Sequence, residues 1–184
     1  WQAWALMEKE LGNHDEARRL FEQGIKADPT DAPTWQAWAL MERELGKYDK
    51  AWRLFERASR AAPGNSYIWQ NWAMMELRRD PKRASDLLNR ALQNVQDPGS
   101  RAVLLGTRGR ALTHLKRFDE AKEAFKESLR LDERNHYTHY FYARELLEPL
   151  GCTEEACAHY RRVLELDPSY NPGAAKGLRR LGCK

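Results

Sequence analysis

The chain has few of the residues that cross-link or interrupt a fold. Its 184 residues include three cysteines, 11 glycines and 8 prolines, and the cysteines (Cys152, Cys157 and Cys183) form no CxxC pair. An odd number of cysteines at one end of a chain does not resemble a disulfide framework. We therefore expect free thiols and a reducing intracellular compartment.

Long apolar runs and targeting signals are also missing. No stretch approaches the about 20 apolar residues that a membrane span needs, so we expect no span. No signal or transit peptide is visible, and the chain begins with Trp1, in what reads as the middle of a helix. We expect it to be a piece of a longer array, so a missing address excludes nothing.

Catalytic and metal-binding patterns are absent as well. The sequence has no Gly-rich phosphate loop, HExxH, nucleophile elbow or paired carboxylate motif. We expect no enzyme activity, no cofactor and no small-molecule substrate. His136, His139 and His159 lie in the same region as Cys152 and Cys157, but their spacing matches no structural zinc pattern, so we expect no metal.

The formal net charge of +4 is too small to indicate nucleic-acid binding by itself, but its distribution is uneven. Residues 1–34 hold four Lys/Arg and seven Asp/Glu, a balance of −3. Residues 35–137 hold 20 and 14, a balance of +6, and residues 138–184 hold seven and six. The centre of the chain is therefore its basic part.

A long internal repeat is the most informative feature. The segment at Trp1 reads WQAWALMEKELG, and after 34 residues it returns at Trp35 as WQAWALMERELG. A looser copy, WQNWAMMELRRD, begins at Trp69, again 34 residues on. A period of this length is typical of stacked two-helix units. Such units build an extended surface, which suits a long partner.

Within each unit the spacing predicts two helices. In the second copy Trp35, Trp38, Ala39 and Glu42 share one face of a first helix, which Gly46 ends. The second helix carries an apolar set at the same spacing, Ala51, Leu54, Phe55 and Ala58, and stops before Pro63-Gly64. Two further units without the tryptophans follow, and a last segment from Pro172 is expected to cap the array.

The first three units resemble the HAT (half-a-tetratricopeptide) repeat. The matching residues are Trp35, Trp38, Glu42, Gly46, Ala51, Arg53, Phe55, Arg57 and Pro63, and likewise Trp1, Trp4, Glu8, Gly12, Ala17, Arg18, Phe21 and Pro29. The fourth and fifth units lack the Trp and Glu and look like ordinary tetratricopeptide repeats. The resemblance implies an all-α, right-handed α-solenoid of about five helix-turn-helix repeats. We divide it into HAT repeats at 1–102 and two tetratricopeptide-like units with a cap helix at 103–184.

Two repeated residue types invite a chemical interpretation, and for both a structural role is favoured. Glu8, Glu42 and Glu76 lie on the apolar face of the first helix without a recurring acid, base or metal partner, so we expect each to accept hydrogen bonds from a neighbouring helix or an Arg. The paired tryptophans could stack on bases, but their spacing favours packing between helices. Tyr67 is the better candidate for an exposed aromatic.

A second face of the first helices carries the candidate binding residues. Gln2, Leu6 and Lys9 recur as Gln36, Leu40 and Arg43, and partly as Gln70 and Met74. Glutamine can hydrogen-bond base edges, and Lys or Arg neutralises phosphate. Glu10 and Glu44 lie beside the cations and could instead pair with them. The candidate RNA-binding residues are Gln2, Lys9, Gln36, Arg43, Tyr67, Gln70, Arg78 and Arg110.

Two functions remain open at this point. The HAT resemblance and the basic centre favour a non-catalytic factor that binds single-stranded RNA and stabilises or processes transcripts. The resemblance is to chloroplast transcript-stabilising proteins, which implies the chloroplast stroma, with the nucleus as the alternative. The other function is a scaffold for protein partners, including self-association, which the fourth and fifth units favour.

Overall fold

The computed structural model describes the backbone of residues 1–183 and the side chains of 1–169 and 172–183. Eleven α-helices and no strand occur in this part of the chain, which confirms the predicted all-α class. A π-helical segment, Tyr142–Leu147, continues α9, and a short 3-10 turn, Pro168–Tyr170, precedes α11. The helices are α1 Gln2–Glu10, α2 His14–Ala27, α3 Ala32–Glu44, α4 Tyr48–Ala61, α5 Ser66–Glu76, α6 Pro81–Asn94, α7 Pro98–His114, α8 Phe118–Leu131, α9 His136–Phe141, α10 Thr153–Leu166 and α11 Asn171–Leu181.

Short polar side chains begin several of these helices. Asp31 accepts a hydrogen bond from the Thr34 backbone N–H and so caps α3, which has proline in its first turn. Asp80 caps α6 and Asp97 caps α7 in the same way. Each cap satisfies a backbone donor that the helix itself leaves unpaired. Local hydrogen bonding to an Asp side chain thus defines the start of these three helices.

In four of the five repeats the turn between the two helices contains a residue in the left-handed conformation. Gly12, Gly46 and Gly151 hold this position with φ of +81°, +71° and +74°. In the fourth unit the position is held by Lys116, at φ +60°. A side chain with a Cβ is disfavoured in this conformation, whereas glycine adopts it freely.

Replacing Lys116 by glycine should therefore stabilise the fold. We expect a gain of about 1 kcal/mol in the free energy of unfolding, measured by urea denaturation, because the left-handed strain is removed. Lys47 is the matched control, since its φ is −85°. Lys47→Gly should lower stability, and a gain at both positions would contradict the role of backbone conformation.

The chain forms two compact units, Trp1–Met75 and Glu76–Lys184. In the first unit α1 packs on α2 and α3 on α4, and α3 also packs against the preceding α2. In the second unit the core gathers around Phe125, Tyr142 and Tyr160. The change of repeat type expected near residue 102 concerns sequence signatures and stays a prediction.

No helix among the described residues is both long and apolar enough to cross a bilayer.

Candidate partner-binding face

The ladder face is the side of α1, α3 and α5 that carries the repeated polar and apolar residues. All of its members are partly accessible, and Met74 is 36% exposed. Equivalent positions recur with the same residue type because the 34-residue repeat copies the helix register. The ladder face consists of Gln2, Leu6, Lys9, Gln36, Leu40, Arg43, Gln70 and Met74.

An ion pair joins two neighbouring first helices on the ladder face. The Lys9 Nζ lies 2.7 Å from Glu44 Oε2, and the two side chains are 26% and 48% exposed. The alternative that Glu44 pairs with a neighbouring cation is confirmed here. Arg43, by contrast, makes no ion pair with any residue whose side chain is described. Arg43 is therefore the cation of this face that is available to a ligand.

The tryptophans of α3 and α5 are packed in the core and so fix the position of the ladder face. Trp35 Nε1 donates to the Pro29 carbonyl at 2.9 Å, and Trp69 Nε1 donates to the Pro63 carbonyl at 2.7 Å. The four tryptophan side chains of α3 and α5 are at most 9% exposed. The expected packing between helices is therefore confirmed for Trp35, Trp38, Trp69 and Trp72. In both cases the Trp of the sequence signature is the hydrogen-bond donor and the Pro carbonyl is the acceptor.

Glu42 is fully buried and accepts hydrogen bonds from three side chains. Arg18 of α2 donates from Nε at 2.8 Å and from Nη2 at 3.1 Å. Lys50 lies 2.9 Å from Oε1, and Trp38 Nε1 donates at 2.8 Å. Burial alone would raise the pKa of Glu42, but these three donors outweigh it and lower the pKa to about 2. The structural role that we predicted for Glu42 is confirmed.

The sequence did not identify the partners of Glu42. Arg18 belongs to the repeat signature but lies 24 residues away along the chain, and Lys50 lies on the next helix. The Ala17-Arg18 pair does not recur in the second copy, which reads Ala51-Trp52, so the repeat period gave no signal for this contact.

The first repeat differs from the second repeat in the exposure of its two tryptophans, Trp1 and Trp4. These side chains are 57% and 48% exposed, although they still stack on each other with ring centroids 6.3 Å apart. In the second copy Phe21 of α2 covers Trp38, with ring centroids 6.0 Å apart. No described residue covers α1 in this way. For these two residues the expected packing between helices stays a prediction.

The eight candidate RNA-binding residues are divided between the two compact units. The ladder face holds Gln2, Lys9, Gln36, Arg43 and Gln70, and Tyr67 on the same compact unit is 69% exposed, as predicted. The remaining two, Arg78 and Arg110, belong to the second unit. Arg78 is exposed.

Arg110 is buried, which corrects its prediction as an RNA-binding residue. It is 5% exposed, and its guanidinium makes two hydrogen bonds to Glu145, at 3.0 and 2.9 Å, and one to the Tyr137 hydroxyl. The guanidinium also lies 3.7 Å from the centre of the Phe141 ring. A buried Arg with these partners stabilises the packing of the second unit and is not available to phosphate.

Two of the three cysteines are paired, contrary to the expectation from the sequence. Cys157 and Cys183 form a disulfide, with Cα atoms 6.1 Å apart, whereas Cys152 is free. The expectation of free thiols is therefore wrong for two of the three. The sequence could not give this pairing, since the partners are 26 residues apart in separate helical segments.

The nearby histidines pair with each other. His139 Nε2 lies 3.0 Å from the Glu133 carbonyl, so the neutral ring donates there, and its Nδ1 accepts from His159 Nδ1 at 2.6 Å. Burial and the neighbouring His139 lower the pKa of His159 to about 4, and burial lowers the pKa of His139. Among the described residues no cluster of three or more His, Cys, Asp or Glu could hold a metal ion.

Comparison with protein families gives a consistent result along the chain. Family profiles described as tetratricopeptide repeat match residues 1–41, 32–75, 102–135 and 138–170. No curated protein matches the chain.

Solved structures show the same fold. PilW, a type IV pilus biogenesis factor, is 19% identical with a TM-score of 0.75, over 99% of this chain and 84% of that one. PilF of Pseudomonas aeruginosa is 20% identical with a TM-score of 0.76, over 98% and 81%. YrrB, a TPR protein with an unusual peptide-binding site, is 17% identical with a TM-score of 0.66, over 97% and 90%.

Proposed function

The chain belongs to the tetratricopeptide repeat family, and from this premise we propose that it is a non-catalytic scaffold that binds a peptide segment of a protein partner on the ladder face. The observation that carries the proposal is the composition of that face. It combines amide side chains, apolar side chains and one cation without an ion pair, Arg43, on neighbouring helices.

Each component suits one part of an extended peptide. The Gln36 amide has a donor and an acceptor, so it can pair with a peptide N–H and C=O at once. Leu6 and Leu40 are half-buried and offer apolar contact to alternate side chains of the peptide. Arg43 can form a bidentate pair with a carboxylate. The preferred ligand is therefore a peptide with apolar residues and an acidic one.

Structural likeness supports peptide binding as the mode. The description of YrrB as a protein with a peptide-binding site concerns that protein, but it shows that a fold of this kind can bind peptides. In the chain described here the ladder face repeats in register, which is what an extended ligand requires.

Single-stranded RNA is the second candidate for the same face. The HAT signature and the balance of +6 over residues 35–137 favour it. The ion pair of Lys9 with Glu44 and the burial of Arg110 reduce the number of cations available to phosphate. We therefore rank the transcript-stabilising role, and the compartment that it implies, below the protein scaffold.

Binding of defined probes separates the two candidates. We would measure fluorescence anisotropy with a set of labelled 12-residue peptides that vary in acidic and apolar content, and with a 15-nucleotide oligouridine. Arg43→Glu should weaken binding of the preferred acidic peptide by at least about tenfold, because a charge-assisted pair is replaced by repulsion.

Arg53→Glu is the matched control. Arg53 is exposed on α4, outside the ladder face, and the substitution changes the net charge equally. An equal loss of binding in both variants would contradict the ladder face as the site. Binding of the oligouridine alone, with affinity falling steeply as salt rises at about −0.7 per phosphate contact, would replace the scaffold by the RNA candidate.

A further inference from the structure

Three restraints hold the last helix, α11, on the second compact unit. They are the packing surface beneath it, which we call the seat, an ion pair and a disulfide bond. The seat is formed by α10 and α9, the ion pair joins Arg180 to Glu148, and the link is the Cys157–Cys183 disulfide. All of these residues lie within Glu76–Lys184. The three restraints differ in strength, and that difference decides what reduction would do.

The seat is closely fitted. A Cβ added at Gly173 would lie 2.7 Å from the Tyr140 hydroxyl oxygen, and one added at Gly177 would lie 2.5 Å from Cε2 of Tyr160. Ala174 is fully buried, and Leu178 packs against the same core. The contact surface of α11 combines these small residues with Leu178 and Leu181, so its apolar burial is limited to a few side chains.

The ion pair is well formed but accessible. Arg180 Nη2 lies 2.7 Å from Glu148 Oε2, which also accepts from the Tyr160 hydroxyl at 2.8 Å. The hydrogen bond from Arg180 holds the pKa of Glu148 below its ordinary value. Because the Arg180 side chain is 50% exposed, the pair stabilises the docked helix only modestly.

The covalent link is the strongest restraint. With 11 residues, α11 is too short to persist as a helix away from its seat. The disulfide closes a loop between residues 26 apart, which limits the freedom of the undocked segment. Without it, undocking and loss of helix would occur together.

We propose that the Cys157–Cys183 disulfide is a thiol-responsive latch that keeps α11 over α10, and that a dithiol reductant releases it. The two sulfurs are not equally accessible: Cys157 is 5% exposed, whereas Cys183 is half-buried near the end of the chain. Attack is therefore expected at Cys183 Sγ.

A thiolate of the dithiol bonds to Cys183 Sγ, the disulfide bond breaks, and Cys157 leaves as a thiolate that takes up a proton. The second thiolate of the dithiol then bonds to the first sulfur, which releases the Cys183 thiolate for protonation. The protein gains two electrons and two protons, and the reductant becomes a disulfide.

Release of α11 would uncover the face of α10 that it now covers. Tyr160, whose ring lies against Gly177 of α11, is fully buried there, and Ala174 of α11 belongs to the same core. Oxidation state would thus decide whether this face of the second unit is closed. The latch does not depend on the proposed function, because the ladder face lies on residues 1–75.

Hydrogen exchange measured by mass spectrometry tests the latch on the full chain. In the oxidised protein, alkylation should label one thiol, that of Cys152. Dithiothreitol should raise amide exchange in residues 172–181 by on the order of a hundredfold, the effect of losing a loop-closing disulfide of this length. Exchange in α7 and α8 should stay within about twofold.

Two variants make the result decisive. Cys183→Ser should reproduce the exchange of the reduced protein without dithiothreitol, whereas Cys152→Ser should behave as the unchanged chain. Labelling of all three thiols in the oxidised protein would overturn the proposal. So would unchanged exchange of α11 on reduction, or an equal rise in α7 and α8, which would make the disulfide a restraint on the whole unit.

Discussion

Replacing Trp72 by alanine is expected to destabilise the first unit by about 4 kcal/mol, the usual cost of deleting a large buried aromatic side chain. Trp72 is 0% exposed and contacts three other rings. Its ring centroid lies 6.4 Å from Phe55, 5.9 Å from Trp69 and 5.0 Å from Trp52. Urea denaturation monitored by circular dichroism would measure the loss.

Trp4 provides a matched control at the same repeat position. It is 48% exposed, so Trp4→Ala should cost less than about 1 kcal/mol. The same residue type in the same register would then differ in effect because Trp72 packs against Phe55 of α4, whereas Trp4 is half exposed. Equal losses at Trp4 and Trp72 would contradict the packing role of that helix.

Phenylalanine substitutions separate packing from hydrogen bonding. Trp72 Nε1 has no hydrogen-bond partner among the described residues, whereas Trp38 Nε1 donates to buried Glu42 at 2.8 Å. Trp38→Phe should therefore cost about 1–3 kcal/mol more than Trp72→Phe, since it leaves the carboxylate with one donor fewer.

Replacing Arg18 by methionine should cost about 3 kcal/mol, because it leaves the Glu42 carboxylate buried without its bidentate partner. The Glu42 side chain is 0% exposed, and Lys50 and Trp38 alone remain to satisfy it. The additional change Glu42→Leu should recover part of the loss, because it removes the charge that Arg18 compensates.

Arg19 is the control on the same helix. It pairs with Glu16 at 2.6 Å, but its side chain is 60% exposed. Arg19→Met should therefore change stability by less than about 0.5 kcal/mol. A loss equal to that of Arg18→Met would assign the effect to helix propensity and not to the buried pair.

The same pair predicts a pH dependence. The pKa of Glu42 is lowered from 4.5 to about 2 in the folded chain, so its contribution is fully present above pH 4.5. The contribution is lost as pH falls from 4.5 towards 2, and a shift of this size corresponds to about 3 kcal/mol. The Arg18→Met variant should show a smaller loss over this range.

Much of the ladder face could be predicted from the sequence. Gln36, Leu40 and Arg43 lie on one side of α3 because residues three and four apart share a helix face. The 34-residue period then placed equivalent residues on neighbouring helices. The exposure of Tyr67, near the start of α5, was also predicted from the sequence.

The availability of each cation could not be predicted. Lys9 and Arg43 hold the same repeat position, yet Lys9 pairs with Glu44 and Arg43 pairs with no described residue. Arg110 looked like a member of the same row, but Glu145, 35 residues further along, accepts two hydrogen bonds from it. Spacing gives the face of a residue but not the charges that a later segment brings to it.

Local sequence patterns are enough to predict the helices and their pairing into repeats, because helix formation and turns depend on residues a few positions apart. Only the packing of the helices brings Arg18 to Glu42 and Cys157 to Cys183. These contacts join residues 24 and 26 positions apart. Their formation depends on how helices pack, which local periodicity does not encode.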